Sequence, residues 1–562
     1  MDRIKIIAGG PEYDGLREAI RRVKGEPPWR EVTGVLSDAK GKPVPDAWIH
    51  GLDAGGRYLT RTRTLASGAF TLHAPVSDGI TLVPQQRGYP AHAGTKVDKD
   101  TSKVALSFGD NAVIHVVATD AATKSGIPVR IQVIPKDPPP TTPDDFGVLD
   151  EVDGRLHQEF AMTGEARLIV PPGSHRVIVS RGYEWELFDT TVDAAAGATV
   201  DVAAPLVHSV DTTGVMCADF HIHSSFSADS NDPVEHKVMG AIADGLDVPV
   251  SSEHEWVADF QPIIERLGLT KWAFGMASSE LTTFAWGHFG VVPLTPRPGT
   301  LNSGAVDWIG KGPPAVFAQI HALPEDPVLI INHPRGASLG AYFSAASYDR
   351  AHDTGDPALY SDDFDAVEVF NDSDLEKNRQ DSLADWFALQ NHGHRVWAVG
   401  SSDSHHLRTA PVGYPRTCLH FGHDDPTKLT PSVVRDAVRS GDSTVSGGLT
   451  MTVTGPGGER PGQIVTAAGG NAAFVITVEA PSFIDADTLE TIVNGATVSV
   501  EPLLPLGGGP SKKFVNQVTV DVDPKAPRTW VVFHAKGETD LAPLHPGRRP
   551  FAVSNPVFLK AP

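Results

Sequence analysis

A chain of 562 residues is longer than one hydrophobic core can organise, so several domains are expected. It is 40% hydrophobic and 21% charged, a soluble globular balance, and its formal charge of −22 excludes the clustered basic footprint of a nucleic-acid binder. No stretch approaches the length of a membrane span, and MDRIKIIAGGPEYDG lacks the apolar run of a signal peptide. The expected partner is therefore a small molecule, with neither nucleic acid nor membrane. The expected location is cytoplasmic, or periplasmic or secreted if a leader was trimmed. Cys217 and Cys418 form no spaced framework, so neither a disulfide scaffold nor a thiolate metal site is expected, and Cys217 reads as a core residue.

Residues 1–30 read as a short helix, Leu16 to Val23, and a linker. Residues 31–110 alternate apolar and polar positions between Gly, Pro and Asp turns, the pattern of a small antiparallel sandwich. Gly34, Gly41, Pro43, Val44, Ala47, Gly68 and Phe70 there resemble the carboxypeptidase-regulatory-like β-sandwich. Residues 111–211 form a second β-rich region, a second sandwich, broken by the proline-rich loop PKDPPPTTPDD. From 212 to 447 strands alternate with helices, the signature of α/β architecture. One helix begins with Asp232 as cap, Pro233 in its first turn and Glu235 completing a capping box, and stops at Gly245. Another runs from near Asp374 to Asn391, with Gly393 as its stop. Residues 448–562 return to β-patterning and read as a terminal sandwich.

Six strand ends in the central region carry metal-ligand chemistry. His221 and His223 share one face of a strand because the side-chain period is two, and Asp229 follows in a polar loop. Glu253 and His254 end the next strand. Glu280 lies in the apolar run AFGMASSEL, where a buried carboxylate needs a cation. His288 begins WGHFGVV, His333 ends PVLIINH, and Asp403 and His405 end VWAVGSSDSH. Nitrogen and oxygen donors from distant parts of the chain, fixed on rigid elements, suit a water-activating metal centre. Asp403 is read as a ligand, with a proton-shuttling role equally weighted against ligation alone. Arg335, two residues past His333, either holds a substrate oxygen or pairs with an acid. Asn371, at the end of VEVFN, either donates to substrate or metal-bound water, or sits in a turn. Trp256, Trp286 and Phe289 read as core before aromatic pocket lining.

These motifs resemble the PHP (polymerase and histidinol phosphatase) superfamily over about 235 residues. Its D-x-H-x-H run looks like Asp219, His221 and His223 with Asp229, its T-D-H like Ser252-Glu253-His254, and its G-S-D-S-H is similar to Ser401-Ser402-Asp403-Ser404-His405. The resemblance implies a distorted (β/α)7 barrel flanked by β-sandwich modules, a multidomain α/β plus all-β chain. It also implies a trinuclear centre of two or three divalent ions, zinc foremost, with manganese or iron as alternatives. His221, His223, Glu280 and Asp403 would hold the first ion, Glu280, His288 and His333 the second, and Asp229, His254 and His405 the third, with Glu280 bridging. Glu253 departs from the family's Asp and need not be a ligand. SRGYEWE, GHFGVVPL, INHPRG and the C-terminal VSGG and SNPVFL look like the carbaryl-hydrolase-type (CehA/McbA-like) metallohydrolases. That implies a metal-dependent hydrolase whose bridging hydroxide cleaves a carboxylic or carbamic ester or amide of a small molecule. The alternatives are a PHP-type phosphoesterase, disfavoured by the few cations near the motifs, and a non-catalytic multidomain binding protein.

Overall fold

The computed structural model describes residues 7–9, 12–137, 144–147, 154–336, 340–372, 375–522 and 528–561. Most of the proline-rich loop and the expected helix start at Asp374 lie outside them. Helix α1 (Tyr13–Lys24) precedes two successive β-sandwiches. In the first, the sheet ordered Ala69–Ala74, Arg30–Ser37, Lys103–Ser107 and the sheet ordered Tyr58–Arg63, Trp48–Asp53, Ile80–Gln85, Thr95–Val97 enclose Val32, Leu36, Ile49, Phe70, Leu72 and Leu82. In the second, a four-stranded and a three-stranded sheet between residues 112 and 206 enclose Ile114, Val116, Ile131 and Val177. Alternating burial along Ala112–Asp120 and Thr199–Leu206 is what a half-solvated sheet requires.

Of the remaining strands, Thr450–Thr454, Asn471–Ala480 and Lys512–Asp521 form a separate three-stranded sheet, and the others form one large sheet. Its first seven are β1 (Val215–Ile222), β2 (Val248–Ser251), β3 (Met276–Thr282), β4 (His288–Val292), β5 (Val328–Ile331), β6 (Ala366–Asn371) and β7 (Trp397–Ser401). Then come β8 (Arg416–His420), β9 (Ser443–Gly447), β10 (Thr488–Val493), β11 (Ala496–Pro502), β12 (Thr529–Lys536) and β13 (Phe551–Ser554). The path runs β7-β6-β5-β4-β3-β2-β1-β8-β9-β13-β12-β10-β11, and three further short strands make sixteen. Ile222 at the end of β1 bridges Ser404, just past β7, in parallel, so the ends of these strands converge on one hollow. β5 and β7 are buried along their whole length, which explains their unbroken apolar sequences.

The expected (β/α)7 barrel is corrected by this topology. The described residues are 40% strand and 15% helix, and the strand pairing of the central region departs from repeated βα units. β3, β4 and β5 pair antiparallel, and β3 passes to β4 through residues 283–287 with no helix between. The helices between the other strands are short, with α2 (Val234–Ala243) ten residues long and α3 (Gln261–Arg266) six. Nor does the sheet end at residue 447. β9 pairs with β13, and Phe370 of β6 packs on Phe551 of β13 with ring centroids 4.5 Å apart. The strand pattern was legible, but the hairpin has the same period of two as a parallel strand and was assigned to the wrong architecture.

Three local expectations also change. Asp232 does not cap α2. Its carboxylate accepts from the Leu407 amide and pairs with the buried Lys237 ammonium at 3.1 Å. The second helix is interrupted, running α4 (Leu375–Asn378), a π-helical turn at Arg379–Leu383, then α5 (Ala384–His392). Cys217 of β1 stands opposite Cys418 of β8 and the two form a disulfide, a pairing across 201 residues that no local spacing announces. Among the described residues, no helix is long and apolar enough to cross a membrane.

Candidate metal centre

The nine expected donors come together where β1–β7 end. Glu280, fully buried on β3, stands at the middle. Its Oε1 lies 3.1 Å from His221 Nε2, 3.4 Å from His288 Nδ1 and 3.3 Å from His333 Nε2. Its Oε2 lies 2.7 Å from His254 Nδ1 and 3.8 Å from His223 Nε2. Asp403 Oδ1 is 3.3 Å from His221 Nε2 and 3.2 Å from His223 Nε2. On the solvent side, Asp229 Oδ2 is 3.1 Å from His254 Nε2 and 3.3 Å from His405 Nε2. Four sets of three donors each fall within 4.8 Å: His221, His223 and Glu280; His221, His333 and Asp403; Glu280, His288 and His333; His223, His254 and His405.

The donor chemistry and spacing fit transition-metal ions. A tetrahedral ion with bonds of about 2.0–2.1 Å sets its donors about 3.3 Å apart. His221 Nε2, His223 Nε2 and His288 Nδ1 are buried and make no hydrogen bond, although a carboxylate oxygen lies 3.1–3.4 Å from each. Such spacing without hydrogen-bond alignment is what ligand atoms show when a cation is meant to lie between them. His333 and Asp403 hold left-handed backbone conformations, with φ of 27° and 51°, a strain common at sites that must aim a side chain.

The pocket's electrostatics call for positive charge. Burial raises the Glu280 and Asp403 carboxyls, but the facing imidazoles outweigh it and hold both well below the usual carboxylate range. Burial lowers His221, yet Asp403, Glu280 and Glu368 outweigh it and lift that ring well above its ordinary value. His254 is raised to about 9 against its burial by Glu280 and Asp229. His223, where burial dominates, falls to about 4.

Residues the sequence reading missed orient these donors. Glu368, buried on β6, accepts from His221 Nδ1 at 3.0 Å and from the His333 amide at 2.7 Å. The Asn332 amide donates to Glu280 Oε1 at 3.0 Å. Asp219 accepts from the His221, Ser402 and Gly413 amides and ties β1 to the loop after β7. The lone carboxylate inside VEVFN was the available signal for Glu368, and it was passed over for the terminal Asn371. Glu253 stands apart from the donors, accepting from the Ser224 amide, the Ser224 hydroxyl and, at 2.7 Å, the Ser227 hydroxyl.

Of the residues expected to act on a substrate, Asp403 and Asn371 lie within the cluster and Arg335 is engaged elsewhere. Arg335 forks onto Asp385 of α5 at 2.7 and 2.9 Å and donates to the Tyr348 carbonyl, so its acid-pairing alternative is the one observed. Asn371 Nδ2 donates to Glu368 at 2.8 Å and Asp403 at 3.3 Å, within the cluster. Trp286 and Phe289 are buried in the core, whereas Trp256 is 38% exposed and lies parallel to Phe226 at the rim.

No family model and no curated protein matches the chain. Among solved structures, a streptococcal ancillary pilin aligns at 11% identity and a TM-score of 0.19, covering 32% of this chain and 62% of that one. The Bacillus anthracis TIE protein aligns at 12% and 0.15, covering 31% of this chain and 33% of that one. The shaft pilin SpaA from Lactobacillus rhamnosus GG aligns at 10% and 0.21, covering 33% of this chain and 99% of that one. The chain thus spans under two thirds of the first two, and likenesses at these scores carry no argument about its function. The expected PHP and carbaryl-hydrolase-type membership is corrected: no family model matches, and β3, β4 and β5 pair antiparallel where repeated βα units need parallel strands. The ester, carbamate or amide chemistry rested on that resemblance and falls with it, and the enzyme assignment first suggested by the donor set is corrected with it. A set of metal donors reports affinity for an ion, not by itself a reaction.

Proposed function

We propose that this chain is a non-catalytic, multidomain metal-binding protein that holds two or three divalent ions at the ends of β1–β7. Zinc suits the imidazole-rich donor set best, with manganese and iron as alternatives. The observation that carries the reading is the trio of buried imidazole nitrogens, on His221, His223 and His288, facing carboxylate oxygens without hydrogen-bonding them. Glu280 is the bridging ligand of this reading, since one of its oxygens faces His221, His288 and His333 and the other faces His254 and His223. Asp403 joins His221 and His223, and Asp229 closes the outer position with His254 and His405. The Cys217–Cys418 disulfide supports an oxidising compartment over the cytoplasm as the working location.

Elemental analysis of the full chain, purified from metal-replete medium, tests the reading. Two or three equivalents of a transition metal are expected, with fewer in His333→Ala. Absence of bound metal overturns it. Chelator-sensitive turnover of an aryl ester or phosphoester overturns its non-catalytic half.

A further inference from the structure

A cavity of about 330 Å³ lies where the second sandwich meets the loop after His405 and the loop before β13. Arg130, Arg155, Arg408 and Arg548 line it, together with His545, and among the described residues no carboxylate does. That concentration stands out on a chain of formal charge −22. Two of the arginines face carboxylates outside the lining. Asp244 lies 3.4 Å from Arg130 Nε, and Asp372, half-exposed, lies 3.0 Å from Arg548. Arg130 is 2% exposed and Arg155 6%. Arg130 also donates to the Leu544 carbonyl, Arg155 to Gln158 and the Arg408 carbonyl, and Arg548 to the Thr409 carbonyl.

Two buried nitrogens of this wall, Arg548 Nε and His545 Nε2, remain without a hydrogen bond, while Arg130 Nε faces Asp244. Buried donors of this kind cost free energy unless a ligand or water satisfies them. The His545 ring is held well below its ordinary value, first by burial and then by the charges of Arg130, Arg548, Arg416 and Arg155, which marks a positive potential at the wall. Guanidinium groups recognise oxyanions through paired N–H donors in a planar fork.

We propose that this cavity binds a small oxyanion, a phosphate or carboxylate group on a molecule of metabolite size. The site is separate from the metal pocket, although the chain from His405 to Pro411 runs from one to the other. Its volume suits a small ligand and not a macromolecule.

Calorimetric titration of the full chain with inorganic phosphate, glycerol 3-phosphate and succinate tests the proposal and separates free phosphate from phosphoester and carboxylate. At least one should bind, with affinity reduced about tenfold or more in Arg408→Glu and Arg548→Gln. Arg408 is exposed, so its variant keeps the test valid even if Arg548→Gln fails to fold. Binding should persist after chelation and in His333→Ala. The proposal is overturned if none of the three binds, or if both arginine variants keep wild-type affinity. Loss of binding on chelation or in His333→Ala also overturns it, because the oxyanion would then sit on the metals; the metal reading itself fails only by elemental analysis.

Discussion

His221 at the end of β1 and His50 in the first sandwich lie equally deep but in opposite electrostatic settings. His221 and His50 are 1% and 0% exposed. Around His221 three carboxylates overcome the penalty of burial and favour a cationic site. Among the described residues no carboxylate does the same for His50. Gln85 Oε1 lies 2.9 Å from Nε2, Tyr58 Oη 3.2 Å from Nδ1, and Phe146 stacks on the ring at 4.0 Å. A neutral imidazole satisfies both of those partners, and burial pushes the group down to about 4. Burial and Arg379 likewise push His534 down to about 3. Depth alone therefore does not distinguish a ligand from a core residue; the sign of the charge facing the ring does.

Removing the central carboxylate is the strongest way to break this contrast. In Glu280→Gln, five imidazoles lose the charge that they share. Metal affinity should fall by more than about 100-fold, beyond the range typical of outer-sphere changes, while circular dichroism stays that of a folded chain. Full metal retention after dialysis would remove Glu280 as the bridging ligand.

The sandwich side of the contrast has a pH signature. The folded His50 value of about 4 lies below its ordinary value of 6.5. Between these limits the unfolded chain takes up a proton that the folded ring refuses. Its contribution to stability is complete above pH 6.5 and is lost as pH falls toward 4, by at most about 3 kcal/mol. Urea unfolding at pH 7 and pH 5 should show a smaller loss for His50→Gln than for the parent chain. Identical losses in the two would remove His50 as the source.

How much of this was legible depended on whether a residue announces itself locally. His221, His223, Asp403 and His405 did, because the period of a strand places i and i+2 on one face and each pair ends an apolar run. Glu368 did not, because a single acid in VEVFN looks the same whether it faces water or an imidazole. Asp232 gave a false cap signal, since the Leu407 amide and Lys237 ammonium compete successfully for its carboxylate. The pairing of Cys217 with Cys418 and the arginine wall at Arg130, Arg155, Arg408 and Arg548 are products of tertiary structure alone. The two N-terminal sandwiches were readable from alternation, whereas the β3–β4 hairpin was not separable from a parallel strand by period.

Glu253 gives the smallest and most selective test of the contrast, because it orders the pocket without reaching a metal position. Its carboxylate accepts the Ser227 hydroxyl proton at 2.7 Å. The Ser227 oxygen is thereby left to accept from His223 Nδ1 at 3.0 Å and from the His254 amide at 3.1 Å. That chain keeps the proton of His223 on Nδ1 and leaves Nε2 bare toward Asp403 and Glu280, the tautomer that can bind an ion. In Glu253→Gln the new amide can donate to Ser227, which then turns its own proton toward His223 Nδ1 and drives the ring's proton to Nε2. Metal affinity, measured by competition with a chelator, should fall about 10- to 100-fold with the fold retained. Unchanged affinity would mean that the His223 tautomer is set by the ion itself, and the ordered serine loop would then be packing of the same kind as the Gln85–His50–Tyr58 contacts in the sandwich.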